Sequence, residues 1–138
     1  MKVTIRRTIA SDHTTIIDLF NKCFNKNIVY HEFNNPNDNI IIVAEIEDNI
    51  IGMLEIDFIE NTIQNSKYAI INNVCVDDKF RHMGIGKLLL NSAEVICKDN
   101  NCSYINLTSN KTRSEAHALY KKENYEMIDT CIFRKDLN

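Results

Sequence analysis

The chain has 138 residues, 44% hydrophobic and 25% charged, an ordinary composition and length for one globular domain. Its formal net charge is only −3, with acidic and basic residues mixed along the chain, which excludes the broad positive field of a general nucleic-acid binder. The charged start Met-Lys-Val-Thr-Ile-Arg-Arg lacks the apolar core of a signal peptide, and no apolar run approaches the roughly 18 residues of a membrane span. The expectation is therefore a cytoplasmic protein of one domain over residues 1–138, with neither nucleic acid nor membrane as partner. Five cysteines, Cys23, Cys75, Cys97, Cys102 and Cys131, have no Cys-x-x-Cys spacing, and no two histidines stand at His-x-x-x-His spacing, so free thiols and no metal are expected. Cys23, Cys75, Cys97 and Cys131 lie in apolar surroundings and read as buried structural thiols.

In chain order, Val3 to Thr8 is a short β-branched strand. Ser11 or Asp12 then offers an N-cap for a helix turning Ile16, Ile17, Leu19, Phe20 and Cys23 inward. Residues 25 to 39 hold six asparagines and the only proline, Pro36, and read as a loop containing Tyr30, Glu32 and Phe33. Ile40 to Ile46, a turn at Glu47-Asp48-Asn49, and Ile50 to Ile59 make a hairpin whose second strand carries Gly52. Asn61 to Ser66 turns the chain again. Tyr68 to Val76, interrupted only by Asn72 and Asn73, suits a central strand covered on both faces. Beyond the next loop, Ile85, Leu88, Leu89, Ser92, Ala93 and Ile96 recur at three and four and predict a helix ending near Asp99. Tyr104 to Thr108 is a fifth strand. Ser114 caps a helix bearing Ala116, Leu119 and Tyr120, and Asn124 ends it in the left-handed conformation. Met127 to Phe133 completes the chain as one or two strands. The whole is a mixed α/β chain without repeat or linker.

Two of only three glycines stand at the entrance of the long helix, in Arg81-His82-Met83-Gly84-Ile85-Gly86-Lys87. Each lowers helix propensity by about 1 kcal/mol relative to alanine, so close approach of a ligand to the backbone is the functional explanation. A phosphate held by unpaired N–H groups at the positive end of the helix fits it. A nucleotide-triphosphate loop would need Gly at 81 and Ser or Thr at 88, where this chain has Arg81 and Leu88. A dinucleotide fingerprint would need a small residue at 89, where Leu89 stands. A plain strand-to-helix turn accounts equally well for the two glycines taken alone.

The surrounding residues add more. Val74-Cys75-Val76-Asp77-Asp78-Lys79-Phe80-Arg81-His82-Met83-Gly84-Ile85-Gly86-Lys87-Leu88-Leu89 resembles the acetyl-CoA loop of the GNAT N-acetyltransferase superfamily, Arg/Gln-x-x-Gly-x-Gly/Ala after a Val-x-Val strand end. A second block, Arg113 to Tyr125, resembles that family's later segment, with Ala116 and Tyr120 four apart. The resemblance implies a central mixed, mostly antiparallel sheet of six to seven strands flanked by about four helices. It implies acetyl-CoA as co-substrate and direct acetyl transfer to a primary amine. Backbone groups of Arg81, His82, Met83, Gly84, Ile85 and Gly86 would hold the pyrophosphate, with Arg81 and Lys87 adding positive charge. Main-chain groups of Val74, Cys75 and Val76 would pair with the pantetheine arm, and Tyr120 would meet the departing thiolate as general acid.

The resemblance departs in three places. Relatives often carry a glutamate base on the fourth or fifth strand, where this chain has Asn72, Asn73, Asn106 and Thr108, so Glu55 on the preceding strand is the candidate base, ahead of Glu32. Arg113 replaces an asparagine, leaving it to bind a cofactor phosphate, to bind an acidic substrate group, or to do neither. Asn124 replaces a helix-ending glycine. The acceptor is open among polyamine, amino acid, antibiotic and protein amine, with the slight acidity leaning to a cation, and homodimers are common in the family. The rival expectation is a non-catalytic acyl-CoA-binding regulatory or partner domain, and transfer of a longer acyl group is a third.

Overall fold

Strand β1 (Thr4–Arg7) begins a computed structural model that describes residues 2–33 and 39–138, and helix α1 (His13–Phe24) follows after a 3-10 turn at Ala10–Asp12. Strands β2 (Asn39–Ile46), β3 (Asn49–Asn61) and β4 (Ser66–Val76) form a meander. After a 3-10 turn at Asp78–Phe80, helix α2 (Ile85–Asp99) crosses over to β5 (Ile105–Leu107), and helix α3 (Ser114–Lys122) comes last. The chain divides into two compact units, Met1–Thr108 and Ser109–Asn138.

The first unit holds the sheet, in the order β1-β2-β3-β4-β5, antiparallel except for the β4–β5 pair. A parallel pair requires a crossover, and α2 supplies it. The β2–β3 hairpin turns through Glu47 and Asp48 at φ 51° and 66°, with Ile46 paired to Asn49. Positive φ at both central positions matches the turn to the twist of the strands. Along β3 the side chains alternate, so Met53 packs with Ile16, Leu19, Val43 and Cys75 on the α1 face, while Gly52 meets Leu89 and Ile85 of α2 on the other. Both faces of the middle of β3 are thereby covered.

Gly52 lies beneath the first turns of α2. A Cβ there would lie 3.2 Å from Leu89 Cδ1, 3.3 Å from the Cys75 carbonyl oxygen and 3.4 Å from Ile85 Cγ2. The absent side chain lets the first turns of α2 sit directly on β3.

Side-chain capping departs from the sequence reading. The Asp12 carboxylate accepts from the Ile9 N–H at 2.8 Å and from Arg6 at 2.7 and 3.0 Å, so it caps the 3-10 turn ahead of α1. Ser114 is the first residue of α3, and the residue before it is Arg113. The entrance to α3 is instead built by Asn110, whose side chain accepts from the Thr112 N–H and hydroxyl at 2.9 and 2.8 Å. Leu88 is also corrected: it is 41% exposed, and the inward face of α2 is Ile85, Leu89, Leu90, Ala93 and Cys97.

Each α-helix ends on an asparagine in the left-handed region, Asn25, Asn101 and Asn124, at φ 52°, 62° and 69°. In each case the following N–H, of Lys26, Cys102 or Tyr125, reaches back to the carbonyl of Asn21, Cys97 or Tyr120 at 2.9–3.0 Å. This is the six-to-one bond that closes a helix end. Asparagine tolerates the left-handed conformation because its short amide bonds locally, and it fills a role that a chain with three glycines leaves open.

The expectation of six to seven strands and about four helices is corrected: among the described residues there are five strands and three α-helices. The difference lies in residues 127–133, which form no strand and expose Met127, Ile128, Ile132 and Phe133. An apolar, β-branched stretch becomes a strand only when its main chain finds a ladder partner, and no pairing is made there. The Tyr68–Val76 expectation also narrows, since Asn73 is exposed and β4 is fully covered only at Ala69, Ile71 and Cys75. Cys131 is exposed rather than buried. Pro36 and its asparagine neighbours at 34, 35 and 37 lie outside the described residues.

Candidate active site

The end of β4 is the centre of the candidate site. Met53 pairs with Cys75 and Glu55 with Asn72, so Asn73 and Val74 together face Leu54. That is a β-bulge, and the extra residue Asn73 takes φ 59°. On the other edge of β4, β5 pairs with Ala69, Ile70 and Ile71 and stops. Residues Val74, Cys75 and Val76 therefore have a strand partner on the β3 side alone, among the described residues.

Asp77 donates its N–H to the Ile51 carbonyl at 2.7 Å, so by antiparallel alternation Val76 turns its peptide groups to the open edge. The Val76 carbonyl accepts from Arg81 Nε at 3.3 Å and from Cys23 Sγ at 3.7 Å. Arg81 thus braces the loop against the strand end. Asp77 anchors the loop a second time, through the Lys79 N–H at 3.0 Å and Lys22 Nζ at 3.1 Å.

The loop enters α2 through His82 at φ 62° and Gly84 at φ 78°. Gly84 is the N-cap residue; it offers no capping side chain, and an added Cβ would meet nothing within 4 Å. The first intrahelical bond runs from the Leu88 N–H to the Gly84 carbonyl. The N–H groups of Ile85, Gly86 and Lys87 lie ahead of it, in the turn that helix geometry leaves without intrahelical partners. Arg81, His82, Met83 and Lys87 are exposed around this entrance, whereas Ile85 is buried beneath it.

Glu55 is half-buried on β3, on the same sheet face as Met53 and Cys75. Burial first, and then Asp57 beside it, pushes its carboxyl up to about 7, against a smaller opposing hydrogen bond from Asn39. In the ladder Glu55 stands directly opposite Asn72. Glu32 is exposed in the loop after α1. Cys23 sits beside Cys75, and that contact, together with Arg81, brings its thiol down to about 7. Burial pushes the Cys97 thiol up to about 12.

The second unit carries Arg113 and Tyr120. Tyr120 is buried, its ring edge-on to Tyr125 with centroids 6.2 Å apart. Burial raises its phenol above the ordinary tyrosine value, with Arg113 pulling the other way. Tyr120 belongs to the closing turn of α3, where its carbonyl accepts the Tyr125 N–H.

The structure thus gathers Val74, Cys75, Val76, the loop from Arg81 to Lys87, and Glu55 in the first unit, and Tyr120 with Arg113 in the second. Sequence reading missed Asp57, which acts on Glu55, and Gly52, which seats α2. The alternation Glu55-Ile56-Asp57 was the available signal, since it puts two carboxylates on one face in the middle of the strand. Among the described residues no group of three or more His, Cys, Asp or Glu could hold a metal ion, and no helix is long and apolar enough to cross a membrane.

Comparison with known proteins gives the site its context. The sequence model of the Acetyltransferase (GNAT) family matches residues 8–125. The fold is shared with an aminoglycoside acetyltransferase, meta-AAC0020, from an uncultured soil metagenomic sample, solved in complex with sisomicin: 21% identity over 99% of this chain and 97% of that one, TM-score 0.88. It is shared with glucosamine-6-phosphate N-acetyltransferase from Arabidopsis thaliana, at 19% identity over 100% of both chains, TM-score 0.79. A transcriptional regulator from Bacillus halodurans C-125 is similar at 23% identity, covering 98% of this chain and 100% of that one, TM-score 0.81.

Proposed function

Because the chain belongs to the GNAT acetyltransferase family, whose members use acetyl-CoA as acyl donor, we propose that it moves an acetyl group directly from the CoA thioester to a primary amine. The observation that carries this reading is the open edge of β4: the ladder with β5 ends at Ile71, three residues before Val74. An extended pantetheine arm can hydrogen-bond to such an edge as an added strand does. The same edge offers a main-chain donor for the oxyanion that forms as the amine attacks. The entrance of α2 supports the binding half, since N–H groups ahead of the first intrahelical bond, with Gly84 open in front of them, suit a pyrophosphate.

Glu55 is the base in this reading. An alkylammonium has a pKa near that of lysine, about 10, and must lose a proton before attack, and a carboxyl poised near neutrality takes that proton more effectively than one of about 4. Tyr120 is the acid. Its phenol, raised further by burial, serves the departing thiolate as a hydrogen-bond donor, because full transfer from a group of pKa about 10 to a thiolate of about 8.5 is already uphill. Arg113 supplies positive charge in α3's approach, and Arg81 fixes the loop by its bond to Val76. Cys75 and Cys23 take no covalent part in this reading, because direct attack of the amine on the thioester needs no enzyme nucleophile. Residues 1–138 read as one N-acetyltransferase domain, supported by a family match that runs across the boundary between the two units.

The test is calorimetric titration with acetyl-CoA, CoA and dephospho-CoA, followed by thiol release over spermidine, sisomicin, glucosamine 6-phosphate and a peptide α-amine. Binding with amine-dependent release supports the transferase and selects the acceptor class. Binding without release across the panel moves the reading to a non-catalytic acyl-CoA-binding domain, which Asn72 and Asn73 in place of a strand glutamate also suit. Absence of binding returns Gly84 and Gly86 to a structural turn.

A further inference from the structure

Two carboxylates, Asp77 and Asp78, stand just ahead of the loop from Arg81 to Lys87, where an approaching anion would be repelled by them. Asp77 has a structural task there. It is the N-cap of the 3-10 turn Asp78–Phe80: its Oδ1 accepts from the Lys79 N–H at 3.0 Å, and its carbonyl accepts from the Phe80 N–H at 2.9 Å. The Lys79 bond first, and then Lys22, hold its carboxyl below the ordinary range against the opposing effect of burial. Lys22 reaches both carboxylates from the last turn of α1, with Nζ 3.1 Å from Asp77 Oδ2 and 3.5 Å from Asp78 Oδ1. Asp77 therefore shapes the turn with one oxygen and ties it to α1 with the other. The neighbours of Lys22 fasten the same turn of α1. Asn21 accepts from the Ile28 N–H at 2.9 Å and donates to the Ile28 carbonyl at 3.0 Å, while Cys23 Sγ meets the Val76 carbonyl at 3.7 Å.

We propose that Lys22 is a positioning residue for acetyl-CoA: from the last turn of α1 it holds Asp77 and Asp78 and offsets their charge, so that the loop from Arg81 to Lys87 can take an anion. This rests on the reading of that loop as the pyrophosphate cradle. The Lys22 side chain is 49% exposed, and an exposed ion pair adds little to folding. Its charge still acts on a ligand within a Debye length, about 10 Å at 0.1 M salt. The cations of the loop itself are placed for other tasks, since Arg81 Nε bonds the Val76 carbonyl at 3.3 Å and Lys87 stands in the first turn of α2. Lys22 comes 55 residues before Asp77 in the chain, so the compensation depends on α1 docking against the end of β4. Without it, the carboxylate that caps the 3-10 turn would oppose the phosphates that enter beside it.

Calorimetric titration with CoA at low and at high salt tests this without an acceptor. Lys22→Met should weaken CoA about fivefold at low salt and much less at high salt, where screening shortens the reach of an exposed charge. Lys22→Arg keeps the charge and should bind as the parent does. Asp78→Asn in the Lys22→Met background should recover part of the loss, because it removes one of the charges that Lys22 offsets. In thiol release the effect of Lys22→Met should fall on the acetyl-CoA KM, with kcat at saturating cofactor and the acceptor KM kept. A role confined to the fold would lower the urea midpoint and leave the CoA affinity of the folded protein unmoved. Equal affinity in the parent and Lys22→Met, or no recovery on adding Asp78→Asn, overturns the role of Lys22. A parent that binds no CoA removes the pyrophosphate cradle itself, and the role of Lys22 with it.

Discussion

Gly52→Ala adds one carbon at a crowded point between β3 and α2. The new Cβ meets three neighbours at once, Leu89 Cδ1 at 3.2 Å, the Cys75 carbonyl oxygen at 3.3 Å and Ile85 Cγ2 at 3.4 Å. Leu89 and Ile85 are 0% and 1% exposed, so neither can swing away, and the carbonyl belongs to the main chain of β4, held in its ladder. Overpacking of this kind costs about 1–3 kcal/mol, while alanine recovers about 0.4–1 kcal/mol by restricting the unfolded chain. The net expectation is a loss of about 1–2 kcal/mol, seen in urea unfolding as a lower midpoint at unchanged slope. Since Ile85 and Leu89 belong to the first turns of α2, their displacement should also raise the acetyl-CoA KM. A Gly52→Ala variant as stable as the parent, with KM unmoved, would show that α2 does not need the close seat on β3 that the distances describe.

Gly84 separates conformation from crowding, because φ is 78° but nothing lies within 4 Å of an added Cβ. Gly84→Ala should lose about 1 kcal/mol of stability and Gly84→Asn less, yet both should raise the acetyl-CoA KM; recovery of KM along with stability in the asparagine variant would refute a ligand at that entrance. Tyr120→Phe should lower kcat in stopped-time thiol release with little change in acetyl-CoA affinity, and an unchanged kcat removes Tyr120 from the chemistry. For Glu55 the folded carboxyl titrates near 7, above its ordinary value of 4.5, so its contribution to stability is fully present below the unfolded value and is lost as pH rises through 7. Glu55→Gln escapes that loss: unfolding free energies should match the parent's near pH 4 and exceed them by about 1–1.5 kcal/mol at pH 8.5, less than half of the full shift at 1.36 kcal/mol per unit. Parallel curves across that range would place the Glu55 carboxyl in the ordinary range.

What was legible in the chain was local. The glycine pair after Val74-Cys75-Val76, the spacing of Ala116 and Tyr120, and the left-handed Asn124 all depend on neighbours a few residues away, and the structure keeps them where the spacing puts them. What was not legible depends on pairing across strands. The bulge at Asn73 exists only relative to Leu54, and the open edge of Val74–Val76 exists only because β5 ends at Leu107. The chain named Glu55 as a candidate base, but that it is half-buried directly opposite Asn72 is a matter of register. Residues 127–133 show the reverse error, since apolar content without a ladder partner does not make a strand.

The three asparagines that close the helices bear on how this protein ages. Deamidation of asparagine proceeds when the next residue's backbone nitrogen attacks the side-chain amide to form a succinimide. At Asn25, Asn101 and Asn124 that nitrogen, of Lys26, Cys102 or Tyr125, is committed to a hydrogen bond with a carbonyl one turn back. Attack must wait until the helix end frays. Each event would then leave a negative charge beside the negative end of a helix dipole, making refraying easier at the site just damaged. Mass-spectrometric counting of aspartate and isoaspartate at these three positions is therefore a clock for the opening of each helix terminus.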